Sequence, residues 1–257
     1  MSSSVTSTGA ALVGAQPALS AQPQRSAIVT GSSGGIGAAI AARLLADGWQ
    51  VQGLDITPAS IHHAAFTAHQ VDLSDAALTD AVLHMLLAPG VSGVPGAVVH
   101  AAGLLRVGRA GSLQHADAQL MWQLHVAAAQ RVANTVLPAM QKARAGRMVL
   151  IGSRVSRGMP GRSQYAATKA ALVSLARSWA AESIAAGVTV NVISPAATAT
   201  RMLQDPARAG TDPRVPPLGR FIVPEEIAAL TAYLLSPEAA AITGQDIAVC
   251  GGASLPH

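Results

Sequence analysis

Short apolar runs alternate along the chain with longer segments in which apolar side chains recur at the spacing of one helix face. We predict strands at the short runs, in residues 26–30, 50–55, 69–71, 97–100, 148–151, 188–193 and 246–249. Helices are predicted near residues 38–46, 76–87, 116–140, 164–186 and 225–235. Each connection between consecutive strands is long enough for a parallel crossover. Right-handed crossovers place helices on both faces, so the pattern predicts an α/β fold with a doubly wound parallel sheet of about seven strands.

Two residues mark predicted helix starts, and two segments fall outside the alternation. Ser74 is predicted to cap the second helix, and Pro224 to be the first residue of the last helix. Residues 1–24 are rich in Ser, Thr, Ala, Gln and Pro and carry no charged side chain, which predicts a disordered tail. Residues 25–257 form one predicted domain. Within it, residues 196–223 are irregular and rich in proline and arginine, which is typical of a small substrate lobe.

The composition excludes several classes of function. The chain of 257 residues is 50% hydrophobic and 12% charged, as expected for helices packed closely on a parallel sheet. Its net charge of +4 comes from 17 scattered basic residues without a basic run, so we expect no nucleic-acid partner. No apolar stretch reaches the ~18 residues of a membrane span, and we expect no membrane association. Cys250 is the only cysteine, which excludes an intrachain disulfide or a cysteine-based metal site and favours a reducing, cytoplasmic location.

A glycine-rich turn connects the first predicted strand to the first helix. Its glycines are Gly31, Gly35 and Gly37, in the spacing Gly-x-x-x-Gly-x-Gly. Glycine allows positive φ and lets the backbone approach a phosphate with no Cβ in the way. The helix behind the turn presents free N–H groups and the positive end of its dipole to a pyrophosphate. Surface loops also collect glycine, but the position between a buried strand and a helix indicates a dinucleotide-binding loop.

Asp55 ends the second predicted strand, about 20 residues beyond the glycine turn, where a dinucleotide fold places the acid that binds the adenosine ribose. A carboxylate there accepts both ribose hydroxyls of NAD and repels the 2′-phosphate of NADP. No Arg or Lys occupies residues 32–36 or 56–58 to offset it, so we expect NAD rather than NADP. The alternative for Asp55 is an ordinary turn aspartate. Asp72, after the third strand, is either an adenine contact or a turn acid.

A serine, a tyrosine and a lysine form the most specific pattern in the chain. Tyr165 and Lys169 are four residues apart on one predicted helix and therefore share a face. A phenol is a poor base at neutral pH, but a neighbouring ammonium group stabilises the phenolate and lowers its pKa. Ser153 follows the fifth strand, at the carboxyl edge of the sheet where such folds bind ligands. A lone Tyr-x-x-x-Lys pair is usually a surface pair, but behind a dinucleotide loop and a strand-end serine it indicates an acid/base site.

With these motifs the chain resembles the short-chain dehydrogenase/reductase family, in its single-domain Tyr-x-x-x-Lys type. The likeness covers about residues 25–253. Besides the motifs above, it rests on Ala101-Ala102-Gly103, on residues 191–195 with Thr200, and on Gly251-Gly252. The resemblance implies a Rossmann-type fold, hydride transfer between NAD(P) and a carbinol or carbonyl carbon, and a homotetramer.

The resemblance also implies roles for individual residues. Tyr165 is the expected acid/base, Lys169 also holds the nicotinamide ribose, and Ser153 orients the substrate. Ile193 and Thr200 are expected at the carboxamide end of the cofactor. The expected cofactor-binding residues are Gly31, Ser33, Gly35, Ile36, Gly37, Asp55, Asp72, Leu73, Ala101, Ala102, Gly103, Tyr165, Lys169, Pro195, Thr198 and Thr200.

Four positions depart from the family's pattern. The usual Asn-Asn-Ala-Gly after the fourth strand begins with His100 and Ala101 here, and Ala196 stands where glycine is common. In the helix predicted at residues 116–140, His125 stands where the family has an asparagine that supports a proton-relay water. We hypothesise that His125 takes over that catalytic role and adds a titration to the rate profile. The alternative is a packing histidine.

These observations favour an active NAD-dependent oxidoreductase that interconverts a secondary alcohol and a carbonyl in a small-molecule substrate. The alternative is a catalytically silent NAD(P)-binding regulatory protein, for which the missing asparagine is the argument. A nucleotide-sugar epimerase or dehydratase would need a larger C-terminal substrate domain. Arg106, Arg109, Arg154 and Arg157 follow strand ends around the site, and they indicate either an anionic substrate or solvated arginines.

Overall fold

A computed structural model describes residues 25–88, 90–91, 93–208 and 213–255. The tail predicted to be disordered, residues 1–24, lies outside the described residues. The strands are β1 (Ser26–Thr30), β2 (Gln50–Asp55), β3 (Phe66–Gln70), β4 (Ala97–His100), β5 (Gly146–Ile151), β6 (Val188–Pro195) and β7 (Asp246–Val249). They form one parallel sheet in the order β3-β2-β1-β4-β5-β6-β7. The strand order turns back between β1 and β4, so the predicted doubly wound sheet is confirmed.

Six α-helices of the described residues cover both faces of the sheet. They are α1 (Gly35–Ala46), α2 (Ala76–Leu87), α3 (His115–Trp122), α4 (Ala128–Ala143), α5 (Ser163–Ser183) and α6 (Pro224–Leu235). α1 and α6 pack on one face, where Ile40, Leu44 and Ile227 are buried. α2, α4 and α5 pack on the other face through residues such as Leu83 and Leu172.

Side chains of the central strands alternate between these two layers. In β1, Ala27 and Val29 belong to the layer of α1 and α6, whereas Ile28 belongs to the layer of α2, α4 and α5. In β4, Val99 belongs to the layer of α1 and α6, and Val98 belongs to the layer of α2, α4 and α5. Because neither face of these strands meets water, nearly every position is apolar. The predicted bounds of β1, β2, β4 and β7 are confirmed without change.

Two local differences from the sequence-based prediction have physical reasons. β3 spans Phe66–Gln70 rather than residues 69–71, because this edge strand is half exposed and carries little apolar pattern. Asp75, not Ser74, caps α2, so that prediction was wrong: the Asp75 carboxylate accepts an N–H of the first turn at 3.0 Å. Ser74 instead donates its hydroxyl to Asp72 at 2.7 Å.

The predicted helix at residues 116–140 is divided into α3 and α4 by a π-helical turn, Gln123–Ala127. Such turns add one residue to a helix and occur frequently at functional sites. His125 lies in this turn. The turn has the same mixture of apolar and polar residues as an ordinary helix, so the sequence pattern did not indicate it. The prediction that α6 begins at Pro224 is confirmed.

The segment after β6 folds over the carboxyl edge of the sheet. It contains two short 3-10 turns, Arg201–Gln204 and Pro206–Arg208, and its two ends meet where Thr198 pairs with Ile222. Within the described ranges, no helix is long and apolar enough to cross a membrane. The same residues contain no group of three or more His, Cys, Asp or Glu side chains that could hold a metal ion.

Candidate active site

A cavity of about 1330 Å³ opens along the carboxyl edge of the sheet, between the glycine turn and the segment after β6. The predicted site residues that line it are Gly31, Ser33, Gly35, Ile36, Gly37, Asp55, Asp72, Leu73, Ala101, Ala102, Gly103, Ser153, Tyr165, Lys169, Pro195, Thr198 and Thr200. His125 does not line the cavity and lies behind Gly103. The side chain of Ile193 is fully buried in the layer of α1 and α6, and the expected contact of this residue with the carboxamide stays a prediction.

The glycine turn is shaped by close approaches of the backbone. Gly31 has a φ of +70°, and a Cβ there would lie 2.8 Å from the backbone nitrogen of Ala102. Gly35 has a φ of +53° and would place a Cβ 3.2 Å from the side chain of Thr200. A Cβ on Gly37 would collide with the carbonyl oxygen of Gly31. A larger residue would collide with backbone at Gly31 and Gly37 and would be strained by the positive φ at Gly35, and this explains the glycines.

The N-terminus of α1 borders the cavity with uncapped N–H groups. No side chain caps the helix at Gly34, and its first turn contains no acidic residue. Gly35, Ile36 and Gly37 line the cavity, so their amides and the positive end of the helix dipole are available to an anion. A backbone cradle of this kind, with no Cβ in the way, fits the pyrophosphate of a dinucleotide.

Asp55 is held in place by three hydrogen bonds at the end of β2. Its Oδ2 accepts the backbone N–H of Ser33 at 2.9 Å, and its Oδ1 accepts the backbone N–H and the hydroxyl of Thr57, both at 2.9 Å. These bonds attach the carboxylate to the glycine turn at the cavity wall. Asp72 accepts the backbone N–H and hydroxyl of Ser74 at 2.8 and 2.7 Å, as a turn acid does.

His100, one of the departures from the family's pattern, connects the end of β4 to β1. Thr30 Oγ1 accepts the N–H groups of Ala101 and Ala102, both at 3.1 Å, so its own proton is directed to His100 Nδ1, 3.0 Å away. Burial and the charge of Lys169 lower the pKa of His100 to about 3. The ring is therefore neutral and holds the loop after β4 against β1.

The predicted catalytic side chains meet where α5 passes the end of β5. Tyr165 is 8% exposed and packs against Leu105. Lys169 is 4% exposed, and its Nζ donates to the carbonyl oxygen of Ile151 at 2.8 Å. The same Nζ lies 5.7 Å from the centre of the Tyr165 ring. Ser153 begins the short turn after β5 and is also buried.

Burial and charge act in opposite directions on the Tyr165 phenol. Burial raises its pKa, whereas the hydrogen bond from the Ser153 hydroxyl and the charges of Arg162 and Arg208 oppose that rise. Burial also lowers the pKa of Lys169 to about 7, because the ammonium group has lost its water. A phenol that keeps its proton beside these groups can give it to a developing alkoxide and is stabilised afterwards as a phenolate.

His125 is completely buried, and both ring nitrogens are engaged. Nε2 accepts the N–H of Leu104 at 3.0 Å, which leaves the ring proton on Nδ1 to donate to Thr168 Oγ1 at 2.8 Å. Thr168 in turn donates to the carbonyl oxygen of Tyr165 at 2.8 Å. The imidazole therefore ties the loop after β4 to α5 and has no nitrogen left for a relay water. This geometry contradicts a relay through the side chain and indicates a positioning role.

Replacing His125 by alanine is expected to lower stability and kcat without changing the shape of the pH profile. Burial and the charge of Lys169 hold the pKa of His125 well below its usual value, so the ring stays neutral at neutral pH. The loss of its buried hydrogen bonds should cost about 1–3 kcal/mol. Thermal unfolding and kcat against pH are measured for wild type, His125→Ala and His125→Asn. If the pH profile of kcat shows an inflection in wild type that His125→Asn lacks, the imidazole titrates during turnover and the relay hypothesis is supported instead.

Two arginines at the substrate end of the cavity were not indicated by the sequence. Arg162 precedes α5 and Arg208 lies in the segment after β6; both line the cavity and influence the Tyr165 phenol. Neither belongs to a motif, because one lies in a loop and the other in an irregular segment. Only the fold brings them to the same phenol.

Of the four arginines that the sequence singled out, two line the cavity and two do not. Arg109 and Arg154 line the cavity. Arg106 is engaged elsewhere, since its guanidinium lies 3.7 Å from Asp117 and 3.6 Å from a second carboxylate. Arg157 is exposed and does not line the cavity.

Comparison with known families and curated proteins gives consistent matches over nearly the whole chain. The matching family model is described as enoyl-(acyl carrier protein) reductase and covers residues 30–254. The protein named 3-oxoacyl-[acyl-carrier-protein] reductase FabG of Salmonella typhimurium is 34% identical over 236 residues, which are 88% of this chain and 96% of the relative. The protein of the same name from Escherichia coli is 35% identical over 239 residues with the same coverage. Oxidoreductase UcpA of Salmonella typhimurium is 32% identical over 255 residues, 91% of this chain and 95% of UcpA.

Solved structures share the fold. The ligand-free aldohexose dehydrogenase AldT of Thermoplasma acidophilum superposes with a TM-score of 0.83 at 25% identity, covering 93% of this chain and 97% of AldT. A 4-hydroxyisoleucine dehydrogenase complexed with NADH gives a TM-score of 0.82 at 23% identity, covering 90% of this chain and 99% of that protein.

Proposed function

The chain belongs to the short-chain dehydrogenase/reductase family and is an NAD(P)-dependent oxidoreductase, and we propose that it interconverts a secondary alcohol and a carbonyl by hydride transfer with NAD(H). The observation that carries the proposal is the meeting of Ser153, Tyr165 and Lys169 in the cavity that the glycine turn borders. The names of the FabG relatives describe reduction of an oxo group, which supports a carbonyl carbon as the reacting centre. A catalytically silent NAD(P)-binding protein would not require Ser153, Tyr165 and Lys169 together.

The residues along the cavity fit a dinucleotide. The uncapped N-terminus of α1 would hold the pyrophosphate, and Asp55 would accept the adenosine ribose hydroxyls. Thr198 and Thr200, at the other side of the cavity, would hold the carboxamide end. When bound, the nicotinamide supplies or accepts the hydride. Lys169 would hold the neighbouring ribose.

The protein's own part in the reaction is to bind the substrate oxygen and move one proton. In reduction, the Ser153 hydroxyl holds the substrate oxygen, and Tyr165 gives its phenolic proton to that oxygen as negative charge develops. The Lys169 ammonium stabilises the phenolate that is left. In oxidation the same groups act in reverse. His125 and Thr168 keep the first turns of α5 in place through the hydrogen bonds described above.

NAD(H) is expected to be preferred over NADP(H), and Asp55→Ala is expected to relax that preference. The Asp55 carboxylate would repel a 2′-phosphate, and its removal should change the preference by on the order of 1–3 kcal/mol. The measurement is kcat/KM for NADH and NADPH with one carbonyl substrate. Because Asp55 also holds Ser33 and Thr57, Asp55→Asn tests the charge with the shape preserved. Asp47→Asn, which changes an exposed acid at the end of α1, is the control. A wild type that prefers NADPH would overturn the assignment.

The reaction class is tested by following NADH oxidation with a panel of ketones, aldehydes and oxo acids. Turnover of at least one compound is expected, and complete inactivity towards the whole panel with NADH bound would favour the silent alternative.

We also propose a homotetramer, a cytoplasmic location and a substrate lobe at about residues 196–223. The tetramer is the assembly that the family resemblance implies, and the location and the lobe rest on the sequence. Light scattering of the purified protein checks the tetramer.

A further inference from the structure

Positive and negative side chains are separated along the cavity. Among the described residues, the acids that line it are Asp55 and Asp72, both at the side of β2 and β3. The arginines that line it are Arg109, Arg154, Arg162, Arg201, Arg208 and Arg214. The end of the cavity that contains Tyr165 is therefore lined by cations, and no described carboxylate lines it.

Three of these arginines, Arg154, Arg162 and Arg208, line the end of the cavity that contains Tyr165; we call them the arginine cluster. Arg162 interacts electrostatically with both other guanidinium groups and with Tyr165, and Arg208 also interacts with Tyr165. Arg208 is only 8% exposed, and Arg162 is half-buried. Guanidinium groups stay protonated in proteins. Like charges are thus held together where water screens them poorly, and an anion between them would remove the repulsion.

The acid that interacts with Arg208 also lies close to a second cation. Asp205 interacts with Arg208, but it also lies 3.6 Å from Arg106 and does not line the cavity. In the part of the chain that the structure describes, the Arg162 guanidinium makes no hydrogen bond or ion pair with a protein group. The positive charge of Arg162 at the cavity wall is therefore not offset by a carboxylate of the described residues.

Hydrogen bonds to backbone groups order the loop that carries Arg162 and hold the guanidinium of Arg154 before any ligand binds. The N–H of Gly108 donates to the carbonyl oxygen of Gly161 at 3.0 Å, and the N–H of Arg162 donates to Met159 at 3.1 Å. Arg154 donates from Nη1 to the carbonyl oxygen of Ala253 at 3.0 Å. A cationic site that is already ordered loses less entropy on binding.

We propose that the arginine cluster binds a carboxylate of the substrate, so that the substrates are oxo acids and the corresponding hydroxy acids. This inference rests on the proposed hydride transfer at Tyr165. The two parallel N–H donors of a guanidinium match the two oxygens of a carboxylate. In reduction the hydride adds to the carbonyl carbon, the C=O π electrons move to oxygen, and that oxygen takes the Tyr165 proton. The carboxylate is unchanged and serves to position the carbonyl.

The first test compares the isomeric oxopentanoates with their methyl esters as substrates with NADH. For at least one isomer, wild type is expected to show kcat/KM about 10-fold or more above that of the ester, because a charge-assisted pair forms only with the acid. Arg162→Gln should lower kcat/KM for the acid by about 10- to 100-fold and change the ester by less than about threefold. Arg208→Gln repeats the test at a second member of the cluster. Arg157→Gln, at an exposed arginine of the same short turn as Arg154, should change neither.

The second test does not depend on turnover. Isobutyrate and isobutyramide have nearly the same shape and differ in charge, and their binding to the NADH complex is measured by calorimetry. Isobutyrate is expected to bind more tightly than the amide, and Arg162→Gln should remove the difference. Esters reduced as well as acids, together with no preference for isobutyrate, would overturn the carboxylate site while leaving hydride transfer intact. Arg162-dependent isobutyrate binding without turnover of any carbonyl would keep the site and reject the proposed reaction.

Discussion

Tyr165→Phe is expected to lower kcat by about 10²- to 10⁴-fold while leaving the Kd of NADH nearly unchanged. The variant keeps the ring that packs against Leu105 and removes only the hydroxyl that would carry the proton. In the free protein, burial raises the pKa of this phenol, so at neutral pH the group is an acid. Without it, the substrate oxygen keeps only the hydrogen bond of the Ser153 hydroxyl, which is too weak an acid to transfer its proton. Steady-state kinetics and titration of NADH fluorescence measure the two quantities.

The chain offers a matched control, because its other tyrosine is remote from the cavity. Tyr233 lies on α6 and is 47% exposed, and Tyr233→Phe should leave kcat and NADH binding as in wild type. If Tyr165→Phe keeps a tenth of the wild-type kcat, another group is the acid/base and the proposed chemistry is wrong. If it loses NADH binding as well, the phenol contributes to the cofactor site and not only to the proton transfer.

Lys169→Met is expected to remove activity and, at neutral pH, to raise stability. Burial lowers the Lys169 pKa from 10.5 to about 7. The folded protein therefore binds fewer protons than the unfolded chain between these pH values, and the cost of burying the amine is greatest at and below pH 7. Methionine avoids that cost but leaves the carbonyl oxygen of Ile151 without its donor. A net gain of roughly 2–4 kcal/mol in unfolding free energy is expected at pH 7.

The pH dependence of the unfolding free energy distinguishes the titration of Lys169 from a change in packing, which would not vary with pH. As the pH rises from 7 towards 10.5, wild type should gain stability relative to Lys169→Met by about 1.4 kcal/mol per unit, and the gap should close. Denaturant unfolding at several pH values measures it. Lys142, the chain's other lysine, is exposed on α4, and Lys142→Met should show no such trend. A constant difference between Lys169→Met and wild type at every pH would mean that Lys169 is not the titrating group.

The sequence predicted the fold well at the central strands of the sheet. β1 and β4 are buried on both faces, so an uninterrupted apolar run shows where each strand begins and ends. The helices between them keep one apolar face. The edge strand β3 has one neighbour and half-exposed side chains, and its pattern was too weak to place it. The π-helical turn at Gln123–Ala127 changes the backbone hydrogen bonding without changing composition, so it could not be predicted.

The site was predictable where a residue type has to occupy a fixed position in a motif. The glycine turn, Asp55, Ser153 and Tyr165 are of this kind, and the structure places them in one cavity. The partners of His125 were not predictable, because Leu104 and Thr168 are distant in sequence and carry no motif. Two members of the arginine cluster, Arg162 and Arg208, were not predictable either, because they lie in the connection before α5 and in the segment after β6 and carry no motif.

The central place of β1 in the sheet also bears on how the chain is synthesised. β1 pairs with β2 on one side and with β4 on the other, Ala27 standing opposite Ala97. Synthesis proceeds from the N-terminus, so the strands β1 to β3 are complete well before β4 emerges from the ribosome. During that interval one side of β1, with Ile28 and Val29, has no partner strand, and an apolar unpaired edge readily joins another chain. Nascent chains that stop before β4 should therefore aggregate, whereas those that include it can close the middle of the sheet.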